Sequence, residues 1–535
     1  PTGSELPEGL LAAQARYERA LGEDDLPVLD ELFAPGLTTS RAQGGDVLVG
    51  HGEISAYRAE RGGAPARWVR RVHVRPLAAG LALTTTESER RDGGTGVQTQ
   101  VWARGDGPAG EHGGPWRVVA AHVSSGPVPP TPEPLLDAAV WSVAPREAGA
   151  LLAGAEEGPL AWVRVAVKDL VAVRGHRVGA GVPAWLAQAP LEAASAPALQ
   201  RLLDAGADVV GVAQTDELAF SLAGRNRHYG TPDNPAAPGR TTGGSTSGAA
   251  AAVASGAADL GLGTDTAGSL RVPGSFCGLY ALRPTHGVVP VEGVLPLAPS
   301  FDTVGLLARD GRLLHAAAPC LLGRAATGAR PARLLRSAVL DDLAEPATRL
   351  AVDAACLAVA VQTGLPLAEV PAEDLGADDV SRWAEAFRVV QAAEAWRSHG
   401  AFVRATPGAL DPVVESRFRA GEQLADGAEE AARAVLAEAR TRLHALLDGG
   451  GALCLPSTAG PATLVGADED AVQAARTATL QLTCLASLAG LPALGLPWGR
   501  VGELPVGLCV VAGPGREGDL LALLDELVPS REVPL

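Results

Sequence analysis

The alternation of apolar and polar positions changes character twice along this 535-residue chain. Near the N-terminus apolar residues recur at helical spacing over 10–21, and residues 24–32 and 50–61 predict two further short helices. Four segments then alternate as half-buried strands do: 68–75, 81–89, 96–103 and 116–123, with Gly/Asp turns between them. Helices followed by a strand meander predict a small α+β domain over residues 1–125. The run SSGPVPPTPEP comes next, and its prolines fix φ and favour an extended spacer, so residues 126–134 are expected to be a linker.

From residue 135 the pattern becomes β/α. A strand is expected at 160–167 and a helix at 197–205, with Pro197 at its first position and Gly206 just past its end. A strand at 209–212 follows, then an alanine-rich helix and a strand at 259–262. Helices are expected at 346–362, 379–396 and 412–447. The chain then reads as a strand at 452–456, an apolar helix at 471–489, and strands at 493–497 and 506–512. Repeated units of this kind predict an α/β domain over 135–535, with a mixed, largely buried sheet flanked by helices. The most apolar window, 484–497, is broken by Gly490, Pro492 and Gly495, which makes it a core segment rather than a membrane span.

Charge narrows the partners. Lys+Arg 44 against Asp+Glu 61 gives a net charge of −17, which argues against binding nucleic acid or an anionic membrane by bulk attraction. The six cysteines are scattered in apolar surroundings with no CxxC pair, as reduced thiols of a cytoplasmic protein would be. PTGSELPEGL shows neither the basic region nor the apolar run of a signal peptide. Composition also isolates one residue. Lys168 is the only lysine beside 43 arginines, in a chain with no methionine. Arginine stays protonated near neutral pH, whereas a desolvated lysine can lose its proton and serve as a base.

The candidate chemistry gathers in TTGGSTSGAAAAVASGAADLGLGTDTAGSLRVPGSFCGLYALRP, residues 241–284, with small-residue clusters at 243–248 and 263–269. A nucleophile elbow needs Gly-x-Ser-x-Gly, but Gly244–Gly248 carries Thr246 at its centre. There is no Gly-Lys pair for a phosphate loop, and Thr266 stands where a dinucleotide loop takes glycine. No histidine pair has zinc spacing, and His176, His228 and His286 lack an evident carboxylate relay, although a Ser-His-Asp scheme stays open. What remains is a serine nucleophile with a neutral lysine as base, and Lys168 is the candidate.

GGSTSG followed by GTDTAGSLRVPGSFCG resembles the signature of the amidase-signature family, with further matches in VAVKD, SFDTVGLLARD and LPVGLCVV. The resemblance spans about residues 135–530 and implies an α/β/α sandwich with a mixed central sheet. It also implies a Ser–cis-Ser–Lys triad: Ser269 as nucleophile, Ser245 as the bridging serine after a cis peptide from Gly244, and Lys168 as base. The backbone amides of Thr266, Ala267, Gly268 and Ser269 would form the oxyanion hole, held by Thr264, Asp265 and Arg271. Ala267 stands where glycine is more usual, and Thr246–Ser247 replaces a Ser–Gly pair. Both variants point toward small polar amides, urea derivatives among them. The resemblance implies an amide hydrolase with a small-molecule amide substrate and no metal or organic cofactor. A tRNA-dependent amidotransferase subunit shares the signature, and a scaffold with a dead amidase domain is the alternative outside enzymes.

GVQTQVWAR…WRVVAAHVS resembles the cystatin-like cone of nuclear-transport-factor-2-like domains found beside urea-pathway amidases. Such domains commonly pair through their sheets, so a homo-oligomer is expected. His51, Tyr57, Arg71, His73, Gln100 and His122 are its candidate pocket groups, weighed against an ordinary role on strands and rims.

Overall fold

In a computed structural model, residues 7, 9–22, 24–43, 46–60, 67–90, 95–105, 114–125, 137–145 and 150–528 are described. They form two compact units, one ending at Ser125 and one beginning at Asp137. The expected linker at 126–134 lies outside the described residues. Among the described residues no helix is long and apolar enough to cross a membrane.

The N-terminal unit is a six-stranded sheet with helices Leu10–Gly22, Leu26–Glu31 and His51–Glu60. Its strands run in the spatial order Asp46–Val49, Ser40–Gln43, Trp116–Ser125, Thr95–Arg104, Leu81–Arg90, Arg67–Ala78. The two short strands at 40–49 were not expected. They are four residues each, too short for a period of two to stand out from a turn. Asp25 caps the second helix by accepting from the Val28 N–H at 3.2 Å. Leu10, Tyr17, Leu29, Phe33, Ile54 and Trp102 form the core.

The second unit is built on an eleven-stranded mixed sheet. Toward one edge Leu260–Thr264 pairs in parallel with Arg164–Lys168, which pairs in parallel with Asp208–Ala213. On its other side Leu260–Thr264 pairs antiparallel with Val304–Ala308, which leads through Tyr280–Arg283 to Ala493–Val501 and Leu504–Val511. Both faces of this sheet are covered, and Val165, Val167, Leu260, Leu262, Leu306 and Leu307 are all buried.

Two expectations are corrected. The strand read at 160–167 begins only at Arg164, because residues 159–162 form turns and Trp162 takes a left-handed φ of 75°. The single helix read at 412–447 is two helices, Pro412–Glu422 and Ala428–Leu447, parted at Gly427 with φ 77°. Conversely, the helix expected at 379–396 runs from Ala377 to Ala405.

Candidate active site

Lys168 ends the buried strand Arg164–Lys168, and its side chain is wholly removed from solvent. Its Nζ donates to Ser245 Oγ at 2.7 Å and to Thr264 Oγ1 at 2.9 Å. Burial lowers its pKa to about 7, against the opposing pull of Asp216, Asp265 and Asp302. Much of the population is therefore neutral near pH 7, as a base requires.

The Gly244–Ser245 peptide bond is cis. Around it, Ser245 O accepts from Thr215 Oγ1 at 2.8 Å and from Asp216 N at 3.3 Å. Glycine at 244 is required by space, since a Cβ there would fall 2.2 Å from Asp216 Oδ2. Asp216 is itself buried, which raises its pKa, and its carboxylate accepts from the Gly224 N–H at 3.0 Å. The next turn holds Leu218 and Ala219 in left-handed conformations (φ 47° and 59°), strained for residues with a Cβ.

Ser269 sits at the second cluster, 3% exposed, with its carbonyl accepting from Thr246 N at 3.4 Å. The loop before it is locked by Asp265. This carboxylate accepts from Gly268 N at 2.9 Å, from Arg271 Nε at 3.0 Å and Nη2 at 2.8 Å, and from Arg283 Nη1 at 3.0 Å. Burial alone would raise its pKa, but the two guanidinium groups outweigh it and hold the carboxyl well below the usual carboxylate range. Thr483 Oγ1 donates to Ala267 O at 2.6 Å, and Arg271 Nη1 donates to Thr483 O at 2.8 Å, so helix Glu469–Leu488 braces the loop.

Gly268 takes φ 112°, and a Cβ there would meet the Thr483 side chain at 2.8 Å. Ala267 is not among the left-handed residues, so the alanine at that position carries no such strain. The Gly268 N–H is engaged by Asp265, which takes it out of the set expected to bind an oxyanion. Among the described residues, the N–H groups of Thr266, Ala267 and Ser269 have no acceptor.

A cavity of about 230 Å³ abuts this cluster, walled by Thr264, Thr266, Leu170, Ala219 and Leu297, with Asp302 its charged group. Asp302 is occupied by Thr266 Oγ1 at 2.6 Å and by the Leu297 and Ala298 N–H groups. Cys277, in the same stretch, is buried, and burial pushes its thiol pKa far up, so it is a packing residue.

Sequence reading missed Thr215, Asp216, Arg283 and Thr483. Arg283, a charge ending the apolar run YALR, was the one visible signal. Two candidate pocket groups of the N-terminal unit, His51 and His73, have local partners. His51 bonds the Asp30 carbonyl at 2.9 Å, His73 pairs with Glu87 at 2.7 Å on the surface, and His122 is exposed. Gln100 is buried and Tyr57 half-buried, while the Arg71 side chain lies outside the described set.

Known proteins share this architecture. The amidase family model matches residues 137–334 and 375–521, and an AtzH-like model, of the nuclear-transport-factor-2-like fold, matches residues 5–127. Amidase 1 of Arabidopsis thaliana is 34% identical over 68% of this chain and 91% of its own length. A 1-carboxybiuret hydrolase subunit, AtzE, of Pseudomonas sp. (strain ADP) is 32% identical over 67% of this chain and 82% of its own. A crystal structure of an amidase superposes with a TM-score of 0.63 at 32% identity, covering 69% of this chain and 85% of that one. The chain belongs to the amidase family and is an amide hydrolase joined to an N-terminal AtzH-like unit.

Proposed function

We propose that this chain hydrolyses a small amide to a carboxylic acid and ammonia through an acyl-enzyme on Ser269. Neutral Lys168 takes a proton from Ser245 as Ser245 takes one from Ser269, and Ser269 Oγ attacks the substrate carbonyl. The tetrahedral oxygen is stabilised by the N–H groups of Thr266, Ala267 and Ser269. The proton returns by the same route to the departing nitrogen, and water then releases the acid. The scheme calls for neither a metal nor an organic cofactor. The observation that carries it is the 2.7 Å contact between Ser245 Oγ and a fully buried lysine whose pKa burial lowers to about 7.

Urea-derived amides are the substrate group favoured by the likeness to a 1-carboxybiuret hydrolase subunit. The working protein is a cytoplasmic homo-oligomer assembled through its N-terminal unit. Ser269→Ala tests the scheme: amide turnover falls to background while circular dichroism stays that of the parent. Retained turnover in this variant would end the assignment.

A further inference from the structure

Lys168 becomes an ammonium when it takes the proton from Ser245, and it does so wholly buried. Both groups in contact with its Nζ are neutral hydroxyls, Ser245 Oγ and Thr264 Oγ1. A buried charge without a counter-charge is costly. Three carboxylates offset that cost from further off: Asp216 most strongly, then Asp265 and Asp302. Two of them are committed elsewhere. Asp265 is paired with Arg271 at 2.8 Å and with Arg283 at 3.0 Å. Asp302 accepts from Thr266 Oγ1 at 2.6 Å and from the N–H groups of Leu297 and Ala298. Asp169, next to Lys168 in the chain, accepts from Gly179 N at 2.9 Å, and burial raises its pKa to about 7.

Asp216 differs in where its carboxylate lies. A Cβ on Gly244 would fall 2.2 Å from Oδ2 and 2.6 Å from Oδ1, so both oxygens press on the residue bonded to Ser245. The Asp216 N–H donates to Ser245 O at 3.3 Å, which ties the backbone of the two residues together as well. Oδ2 accepts from Gly224 N at 3.0 Å, but Oδ1 is buried and has no hydrogen-bond partner among the described residues. A buried carboxylate oxygen without a donor is disfavoured unless a charge nearby compensates it. Burial raises the Asp216 pKa, and Gly224, Ser221, Lys168 and Ser247 pull it the other way. Lys168 is the one cation in that set, so each group favours the charged form of the other.

We propose that Asp216 is a positioning residue that supplies the counter-charge for the Lys168 ammonium, its carboxylate held against Gly244 so that the charge formed during attack by Ser269 is met inside the site. The proposal rests on the reading of Lys168 as base and goes beyond it by naming what stabilises the protonated state. The proton of Ser269 Oγ moves to Ser245 Oγ as that of Ser245 moves to Lys168 Nζ, and it returns by the same route to the departing nitrogen. Asp216 stays ionised throughout and takes no proton.

The test uses the lone lysine as its own probe. Protein labelled with ε-13C-lysine shows one lysine resonance, because Lys168 is the only lysine, and its pH titration reads the charge on Nζ without reference to turnover. Asp216→Asn keeps the shape and an oxygen for the Gly224 N–H but removes the charge. The midpoint of the titration is expected to fall by about one pH unit in this variant, because losing the opposite charge favours the neutral lysine. The rising limb of kcat/KM should move to lower pH with it. On the plateau kcat should fall about tenfold, since a weaker base does the work. KM should change little, because Asp216 is wholly buried and is not among the walls of the cavity at Thr264 and Thr266. Asp216→Ser, shorter and also neutral, gives the same reading if the asparagine protein does not fold. A midpoint that stays or rises overturns the proposal even where activity is lost, since that is what a packing role alone would give. A midpoint that falls while the activity limb stays in place sinks the reading of Lys168 as base and takes this inference with it.

Discussion

Lys168 stood out in the sequence because a bias toward arginine had left one lysine, and the buried contact with Ser245 explains why arginine does not serve there. The residues that hold the site were harder to read. Asp216 acts on Ser245 from 29 positions away and Thr483 on Ala267 from 216 away, and neither separation leaves a local pattern. Because burial brings the Lys168 pKa down to about 7, the neutral base accumulates as pH rises through that value. kcat/KM should therefore climb through about pH 7 and level off above it. Lys168→Arg stays protonated across the range and should lose about 10²-fold or more, with no such rise. A Lys168→Arg enzyme that keeps the parent's pH profile and rate would refute the base assignment.

At the scale of elements, long amphipathic or alanine-rich segments were legible. Helices Pro346–Thr363 and Glu469–Leu488 and strand Gly451–Pro456 fall within a few residues of expectation. Short strands such as Trp141–Val143 and Leu367–Glu369 were not, because three residues carry too little periodicity and their pairing is set by distant partners. The break at Gly427 was hidden by helix-favouring Ala, Glu and Arg on both sides. The loop of the second cluster depends on Asp265, buried with Arg271 and Arg283. Asp265→Asn would strand two buried guanidinium groups, a loss of about 3–5 kcal/mol by analogy with other broken buried pairs. Chemical denaturation reads this directly, and a midpoint unchanged from the parent would show that the network does not hold the loop.

At the scale of the molecule, the α/β class of the second unit was visible in the change of periodicity. The order of eleven strands was not, because antiparallel returns such as Val304–Ala308 against Leu260–Thr264 interrupt the β/α rhythm. The N-terminal unit is expected to assemble the protein, so light scattering after size exclusion should give a mass of at least two chains of 54.3 kDa, and a single-chain mass would remove that role. The central claim is the acyl-enzyme at Ser269, and intact-mass analysis after reaction with a fluorophosphonate, followed by peptide mapping, reads it most directly. One adduct per chain, on Ser269 and absent from Ser269→Ala, is the predicted result. An adduct on Cys277 or on another serine, or none at all, would contradict it.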